Sequence, residues 1–351
     1  MRAYVAQSSL LSMMLKAAKV VSKDTLDTVM GSALLVAEDG GLSVTSSDGT
    51  RWVRCVSPAN VEEQGAIAVS ARRLLKFAKG VQDGAIGIES GDGVANVTCG
   101  RSKANLLMVG TEAMASFPQP VADASVTVQA DTLLDMSKAA SRMASKDNSR
   151  PVQQGIHVVA SDGTLRMEAC GSFMAATCEA ACGEGALDVV VPANSFTDAL
   201  SAGDGEVVVG TGNGSLSIAT ARSAYVTRTI EGTFPNVGML FGAGHSSSVV
   251  VDSSELLAAM DLLSAIDAVS VHLASKDGEL VVSAYSNGDG LVETVVEANV
   301  TGDVDINLNP RNIRDAAVMG GDMELRFKGG MQPVVALSEG YGWKCVMTPM
   351  R

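Results

Sequence analysis

The chain has 351 residues, is 46% hydrophobic and 19% charged, and carries a formal net charge of −13. That length and composition describe a globular protein of two or three domains, and the acidic balance excludes one that coats nucleic acid by general attraction, which needs a local surplus of Lys and Arg. No apolar stretch approaches the roughly 18 residues that span a bilayer, so no membrane partner is expected.

Residues 8–21 space Leu11, Met14, Leu15 and Ala18 along one side of a helix and gather Lys16, Lys19 and Lys23 on the other. Arg2 followed by the 10–15 run imitates a secretion signal, but Lys16 and Lys19 interrupt it, which favours an amphipathic helix. Strands over 32–36 and 42–45 flank the turn Glu38-Asp39-Gly40-Gly41, and Asp-Gly is a strong hairpin signal. A strand over 65–69 then leads into a second helix, where Arg72, Arg73, Lys76 and Lys79 surround Leu74, Leu75 and Phe77.

The middle of the chain repeats the outline. Leu133, Met136, Ala140 and Met143 form the apolar side of a helix; Lys138, Arg142 and Lys146 advance along another side, with Arg150 just beyond. Strands over 155–160 and 165–169 flank Ser161-Asp162-Gly163-Thr164. An apolar run over 187–191 precedes a short helix through Phe196, Ala199 and Leu200, and a strand restarts at 206–210. In the last part an acidic helix is expected over 253–267 (Glu255, Asp261, Asp267). Strands over 269–274 and 280–284 flank Lys276-Asp277-Gly278-Glu279, and a strand over 302–308 precedes a helix carrying Arg311 and Arg314. A final strand from Trp343 is expected to stop at Pro349.

Phe117-Pro118 and Phe234-Pro235 close the first two copies of this outline. The spacing predicts three tandem domains over 1–119, 120–242 and 243–351, each with two helices and antiparallel strands, an α+β class. Much of the Lys and Arg lies on or beside helices, so strands and loops carry most of the acidic excess.

Signals for catalysis are missing. No Gly-x-x-x-x-Gly-Lys, Gly-x-Gly-x-x-Gly before a helix, His-Glu-x-x-His or Gly-x-Ser-x-Gly occurs. Gly210-Thr211-Gly212-Asn213-Gly214 and Asn287-Gly288-Asp289-Gly290 read as hairpin tips rather than phosphate or calcium loops. His157 and His272 fall on equivalent strands of different copies, which disfavours a shared metal or acid–base site, and His245 is remote from both. The expectation is a non-enzyme with no metal and no cofactor. The six cysteines (Cys55, Cys99, Cys170, Cys178, Cys182, Cys345) lack a Cys-x-x-Cys pair and sit mostly in apolar strand patterns, as expected of buried thiols in a reducing, cytoplasmic compartment. A tandem-domain hydrolase using the Ser-Asp-Gly turns and a purely structural repeat protein are the rival readings; neither gives a reason for basic helices.

Three copies of the hairpin-strand-helix outline, basic helices, Phe-Pro connectors and the ending Met347-Thr348-Pro349-Met350-Arg351 together resemble the bacterial-type DNA polymerase III beta sliding clamps, over the whole chain. The resemblance implies a homodimeric ring of three-domain subunits with helices lining the hole, holding double-stranded DNA without reading its sequence. The residues it would turn toward DNA are Lys16, Lys19, Lys23, Arg72, Arg73, Lys76, Lys79, Lys138, Arg142, Lys146, Arg150, Arg311 and Arg314. It also implies a groove for short linear motifs of a replicative DNA polymerase, clamp loader and repair proteins. Position by position the groove comprises Gln153, Ala169, Gly171, Ser172, Phe173, Met174, Pro235, Met239, Leu240, Val346, Met347, Thr348, Pro349, Met350 and Arg351. Ser172-Phe173 replaces a His-Arg pair general in such clamps, Gln153 replaces an apolar residue, and a final Leu is missing; these departures point to a divergent or virus-encoded clamp with its own motif preference. Ring closure would place Leu106 and Ile266 at an apolar joint, with Arg73 pairing Asp267. The implied location is the cytoplasm, at the nucleoid.

Overall fold

Asp39, Asp162 and Asp277 have φ of 42°, 51° and 52°, and the glycines that follow, Gly40, Gly163 and Gly278, have 77°, 75° and 84°. Two successive positive φ angles make the tight turn whose twist matches the strands it joins, and Asp-Gly adopts them at little cost. The computed structural model, which describes residues 1–22, 28–120, 122–242 and 244–350, carries one such Asp-Gly hairpin in each of three repeats, whose element order is shared except for one strand fewer in the second.

The first repeat runs β1 (Arg2–Ala6), α1 (Gln7–Val20), β2 (Ser32–Glu38), β3 (Gly41–Ser47), β4 (Arg51–Pro58), β5 (Asn60–Glu63), β6 (Gly65–Ser70), α2 (Ala71–Gly80), β7 (Ala85–Ser90), β8 (Val94–Cys99) and β9 (Ser102–Val109). The second runs β10 (Ala124–Gln129), α3 (Ala130–Met143), β11 (Gly155–Ser161), β12 (Thr164–Cys170), β13 (Met174–Ala181), β14 (Leu187–Pro192), α4 (Ser195–Ala199), β15 (Glu206–Gly212), β16 (Ser215–Ala219) and β17 (Ser223–Arg228). The third runs β18 (Ser247–Asp252), α5 (Ser253–Leu263), β19 (Val271–Lys276), β20 (Glu279–Ser286), β21 (Gly290–Val296), β22 (Ala298–Thr301), β23 (Asp305–Leu308), α6 (Pro310–Ala316), β24 (Asp322–Phe327), β25 (Val334–Ser338) and β26 (Lys344–Met347). This is the expected α+β arrangement of few helices on antiparallel sheets.

Three elements differ from the sequence reading. α5 stops at Leu263 rather than reaching Asp267, because Ser264 caps it: its Oγ donates to the Asp261 carbonyl at 2.6 Å, competing with further helical pairing. The strand expected over 302–308 begins only at Asp305, as β23: Gly302, with a φ of 74°, ends the preceding β22 in a turn. The last strand ends at Met347, two residues early: Thr348 N–H still donates to the Phe173 carbonyl opposite it, but Pro349 has no N–H to carry the ladder on.

By compactness the chain forms two units, Met1–Leu134 with Ser195–Thr229, and Asp135–Asn194 with Ile230–Arg351. In the first, thirteen strands follow the order β10-β15-β16-β17-β4-β3-β2-β6-β9-β8-β7-β1-β5. β4 of the first repeat pairs with β17, the last strand of the second, with Val53 opposite Tyr225. α1 packs on α2, β3 and β4 and buries Leu10, Met13, Met14, Ala17 and Val20. In the second unit a nine-stranded sheet, β14-β11-β12-β13-β26-β25-β24-β18-β22, joins its repeats the same way: β13 pairs with β26, Ala176 opposite Cys345. A four-stranded sheet, β21-β20-β19-β23, completes that unit. The largest buried side chain there is Trp343, whose Nε1 donates to the Ala316 carbonyl at 3.1 Å.

Candidate functional sites

The placement of the basic residues follows from helix periodicity. On α2, Leu74 and Ala78 are buried, and Arg72, Lys76 and Lys79 line the opposite side at spacings of four and three, with Arg73 beside them. All four are exposed, and none is in an ion pair among the described residues. On α3, Lys138 and Arg142 are exposed; Lys138 lies 3.5 Å from Asp135, and Arg142 donates to Asp315 of α6 at 2.9 Å. Lys146, Arg150 and Arg311 are exposed, and Arg314 is half-buried against Asp261 of α5.

Lys16 does not belong to this set. Its side chain is 6% exposed, with Nζ 2.7 Å from Asp204 Oδ2 and 3.0 Å from Ser223 Oγ. The core face of α1 is turned from the one expected: Leu15 is exposed beside Ser8, Ser12 and Lys19, and Leu10, Met13 and Ala17 are inside. The apolar run from Leu10 to Leu15 fits either face. The 195–229 segment covers the side carrying Lys16 and supplies a carboxylate to receive it. A second ion cluster lies in the same unit, with Arg51 donating to Asp48 and, at 2.6 Å, to Asp198. Burial works against the Asp48 carboxylate, but its bonds from Arg51 and Thr50 hold its pKa below the ordinary value. Burial pushes the Asp198 carboxyl up, a rise Arg51 only partly offsets. Lys19 is exposed, and its Nζ reaches the Thr197 carbonyl at 2.6 Å. Lys23 lies outside the described residues.

The groove is built where β12, β13 and β26 meet the short 3-10 turn Val237–Phe241. Cys170, Ala175, Val237 and Val346 form a buried apolar cluster, against which Phe234, Phe241 and Val335 pack. Around it the chain exposes Phe173 (67%), Met239 and Leu240, with Ser172 and Pro235 also exposed. The Gly171 N–H donates to the Met174 carbonyl at 2.8 Å, closing a turn that thrusts Ser172 and Phe173 outward. A Cβ on Gly171 would stand 3.0 Å from the Met143 carbonyl, so the turn sits flush against the end of α3. The tail is pinned beside it: Thr348 N–H donates to the Phe173 carbonyl at 3.0 Å and Met350 N–H to that of Asn307 at 2.8 Å.

Some groove candidates sit elsewhere. Ala169 and Met347 are fully buried, and Cys345, which alternates with Val346 on β26, places its sulfur 4.0 Å from that of Met143 in the core. Strand alternation therefore gives Val346 to the groove and sends Met347 to the opposite face. Gln153, Met174, Thr348, Pro349 and Met350 are half-buried, and Arg351 lies outside the described residues. The sequence reading missed Cys170, Ala175, Val237, Phe241 and Val335, and used Phe234 only as a connector; the alternation along β12 and β13 was the available signal.

His157 supports the groove from below. Its Nδ1 lies 3.0 Å from Glu168 and its Nε2 2.9 Å from Asp188, and its ring stacks on Phe234 with centroids 5.0 Å apart. Burial works against the imidazolium, but the two carboxylate hydrogen bonds outweigh it and raise the pKa above the ordinary value. Both ring nitrogens are thereby occupied. Of the Ser-Asp-Gly turns that a hydrolase would recruit, Asp162 is exposed at a hairpin tip and Asp48 is bonded by Thr50 and Arg51. No cluster of three or more His, Cys, Asp or Glu poised for a metal occurs among the described residues. The six cysteines are free, five of them buried and Cys182 half-buried, and burial raises the Cys55 thiol to about 11 and that of Cys178 to about 12.

At the joint side, Leu106 is 8% exposed and turned inward, and its neighbour Leu107 is 68% exposed. The outward leucine of β9 is thus Leu107. Ile266 is half-buried, and Arg73 and Asp267 are exposed.

The fold is that of solved DNA polymerase sliding clamps. A Bacillus subtilis clamp matches with a TM-score of 0.88 over 100% of this chain and 99% of that chain, at 21% identity. A Pseudomonas aeruginosa clamp crystallised with griselimycin bound matches at 0.89, again over 100% and 99% and at 21% identity. Residues 1–119 match the family model of the DNA polymerase III beta subunit N-terminal domain, and residues 127–236 that of its central domain. The chain belongs to the DNA polymerase III beta subunit family. Among curated relatives, the beta sliding clamp of Streptomyces coelicolor is 26% identical over 302 residues, covering 82% of this chain and 80% of the relative.

Proposed function

We propose that this protein is a DNA sliding clamp, a non-enzymatic processivity factor that encircles duplex DNA and tethers a replicative polymerase. Its clamp domains are read as residues 1–119, 120–242 and 243–351. The observation that carries the reading is how repeats are sewn together: the third strand after the first helix of one repeat pairs with the last strand of the next, as β4 with β17 and β13 with β26. Continuing that rule leaves β21 and β9 to be joined between chains, so two copies head to tail complete a ring. Arg73, Ile266 and Asp267 are assigned to the same interface.

A ring holds DNA by topology, so it needs only a mildly positive lining, and an acidic exterior is no obstacle. Lys19, Arg72, Arg73, Lys76, Lys79, Lys138, Arg142, Lys146, Arg150, Arg311 and Arg314 supply that lining by meeting phosphates, which position the protein without reading bases. The groove binds short apolar motifs from the polymerase, clamp loader and repair proteins. Its rim of Phe173, Met239 and Leu240 suits aromatic and aliphatic side chains of such a motif. The work is done in the cytoplasm, at the nucleoid.

Retention on DNA tests this. Loaded onto closed circular duplex, the protein should stay through gel filtration and be lost when the circle is cut once. Equal loss from both forms means that it does not encircle DNA.

A further inference from the structure

We propose that the groove continues into a cationic annex, and that the motifs it binds carry a glutamate or aspartate beside their apolar residues. This rests on the clamp reading and names the chemistry of the partner segment. A cavity of about 160 Å³ adjoins the groove, with Phe241 and Val335 on its apolar side. Both also pack on the groove's buried cluster, so the two spaces share a wall. Every ionisable side chain lining the cavity is basic: His245, Arg326, Lys328 and Lys344. In a chain with 39 acidic residues against 26 Lys and Arg, such a lining departs from the average surface and attracts anions.

Strand register brings these cations to the groove floor. Cys170 faces Ala175, Ala175 faces Val346, Val346 faces Val335, and Val335 faces Arg326. Residues directly opposite across a ladder share a face, so Arg326 ends the row whose other members form or flank the buried cluster. Lys344 stands two residues before Val346 on β26 and shares its face, between Leu337 and Thr177. Glu324 accepts from Arg326 Nε and Nη2 at 2.9 and 2.8 Å. That pair fixes the guanidinium and leaves Nη1 without a hydrogen bond among the described residues. Lys328 and Lys344 are exposed, and neither is in an ion pair among the described residues.

Size and position select the occupant. About 160 Å³ is below the roughly 300 Å³ that a whole small-molecule ligand takes, and suits one side chain with its carboxylate. Strands about 4.8 Å apart put Arg326 about 10 Å from Val346, and an extended segment rises about 3.3 Å per residue. An acidic residue about two or three positions from the apolar residue seated on Val346 therefore reaches Lys344 or Arg326. Phosphates of nucleic acid would meet the same charge but leave the Phe241 and Val335 wall unused.

Polarisation titrations of the full chain test this with three fluorescent peptides that share one Leu-and-Phe core and are flanked on both sides by Gly-Gly, Glu-Glu or Lys-Lys. The Glu-flanked peptide should bind about tenfold tighter than the Gly-flanked one at low salt, a gain that high salt removes. Net charge alone predicts the opposite, because a chain at −13 repels acidic peptides. Lys344→Glu should erase the gain and shift preference toward the Lys-flanked peptide, with the Gly-flanked affinity unchanged. Lys276→Glu, an equal charge change at an exposed site on the four-stranded sheet, should do neither. Equal binding of the Glu-flanked and Gly-flanked peptides, or an equal loss of both in Lys344→Glu, overturns the annex and leaves the groove standing. A duplex oligonucleotide whose affinity falls in Lys344→Glu, with no change for any peptide, assigns the cavity to phosphates and overturns the annex as well. If none of the three peptides binds, the groove fails and this proposal with it; loss from circular DNA would remove the clamp reading too.

Discussion

Replacing Lys16 with methionine separates a structural lysine from a DNA-contacting one. Lys16 Nζ is held between Asp204 at 2.7 Å and Ser223 at 3.0 Å, and the Asp204 side chain is 20% exposed. Removing one member of a fully buried pair costs about 3–5 kcal/mol, because the other charge is left without a partner. Asp204 keeps some water and still accepts the Ser201 N–H at 2.8 Å, so Lys16→Met should cost about 2 kcal/mol. Methionine fills similar space, so little of this is a cavity effect. Adding Asp204→Asn should recover about 1 kcal/mol, since the stranded charge is gone. Urea unfolding followed by fluorescence of Trp52, on β4 at the joint with β17, reports on this unit in a Trp343→Phe background. The salt dependence of DNA binding should not change. A stability loss below about 0.5 kcal/mol, together with a slope of log affinity against log salt shallower by about 0.9, would show that Lys16 meets a phosphate and would refute its burial.

Changing Arg72, Lys76 and Lys79 together to glutamine should leave unfolding within about 0.5 kcal/mol, as all three are exposed, and should flatten that slope by about 2–3; an unchanged slope takes α2 away from DNA. Phe173→Ala should weaken a fluorescent polymerase-tail peptide at least tenfold in polarisation titrations without altering stability, since the ring is exposed beside the apolar cluster; equal affinity removes Phe173 from the groove. His157 has a folded pKa above its ordinary value near about 6.5. Its contribution is therefore complete below that value and is lost as pH rises through the folded pKa. Urea unfolding followed by Trp343 fluorescence should show this decline as pH rises above about 6.5, and His157→Gln should abolish it; the same decline in the variant assigns it to another group.

Hairpins, helices and the threefold repeat were legible because they depend on neighbours in the chain. Asp-Gly at residues 39–40, 162–163 and 277–278 lies between two strand patterns in each repeat, and Asp and Gly tolerate the two successive positive φ angles seen there. The α2 stripe was equally legible, since its apolar positions admit one helical face. α1 was not, because six consecutive positions from Leu10 to Leu15 include five apolar side chains, and a helix can bury either side of such a run.

What the sequence by itself determined, then, is the order of elements, where the chain turns, and that cations collect on helices. Each of these is set within a few residues by φ preferences and side-chain periodicity. Tertiary structure decided which face of an ambiguous element meets the core: Lys16 inward on Asp204, Leu107 rather than Leu106 outward, Val346 rather than Met347 in the groove. Adjacent apolar residues look alike in a linear pattern. Only the pairing of β8 with β9 and of β13 with β26, between segments far apart in the chain in the second case, fixes which of two neighbours points where.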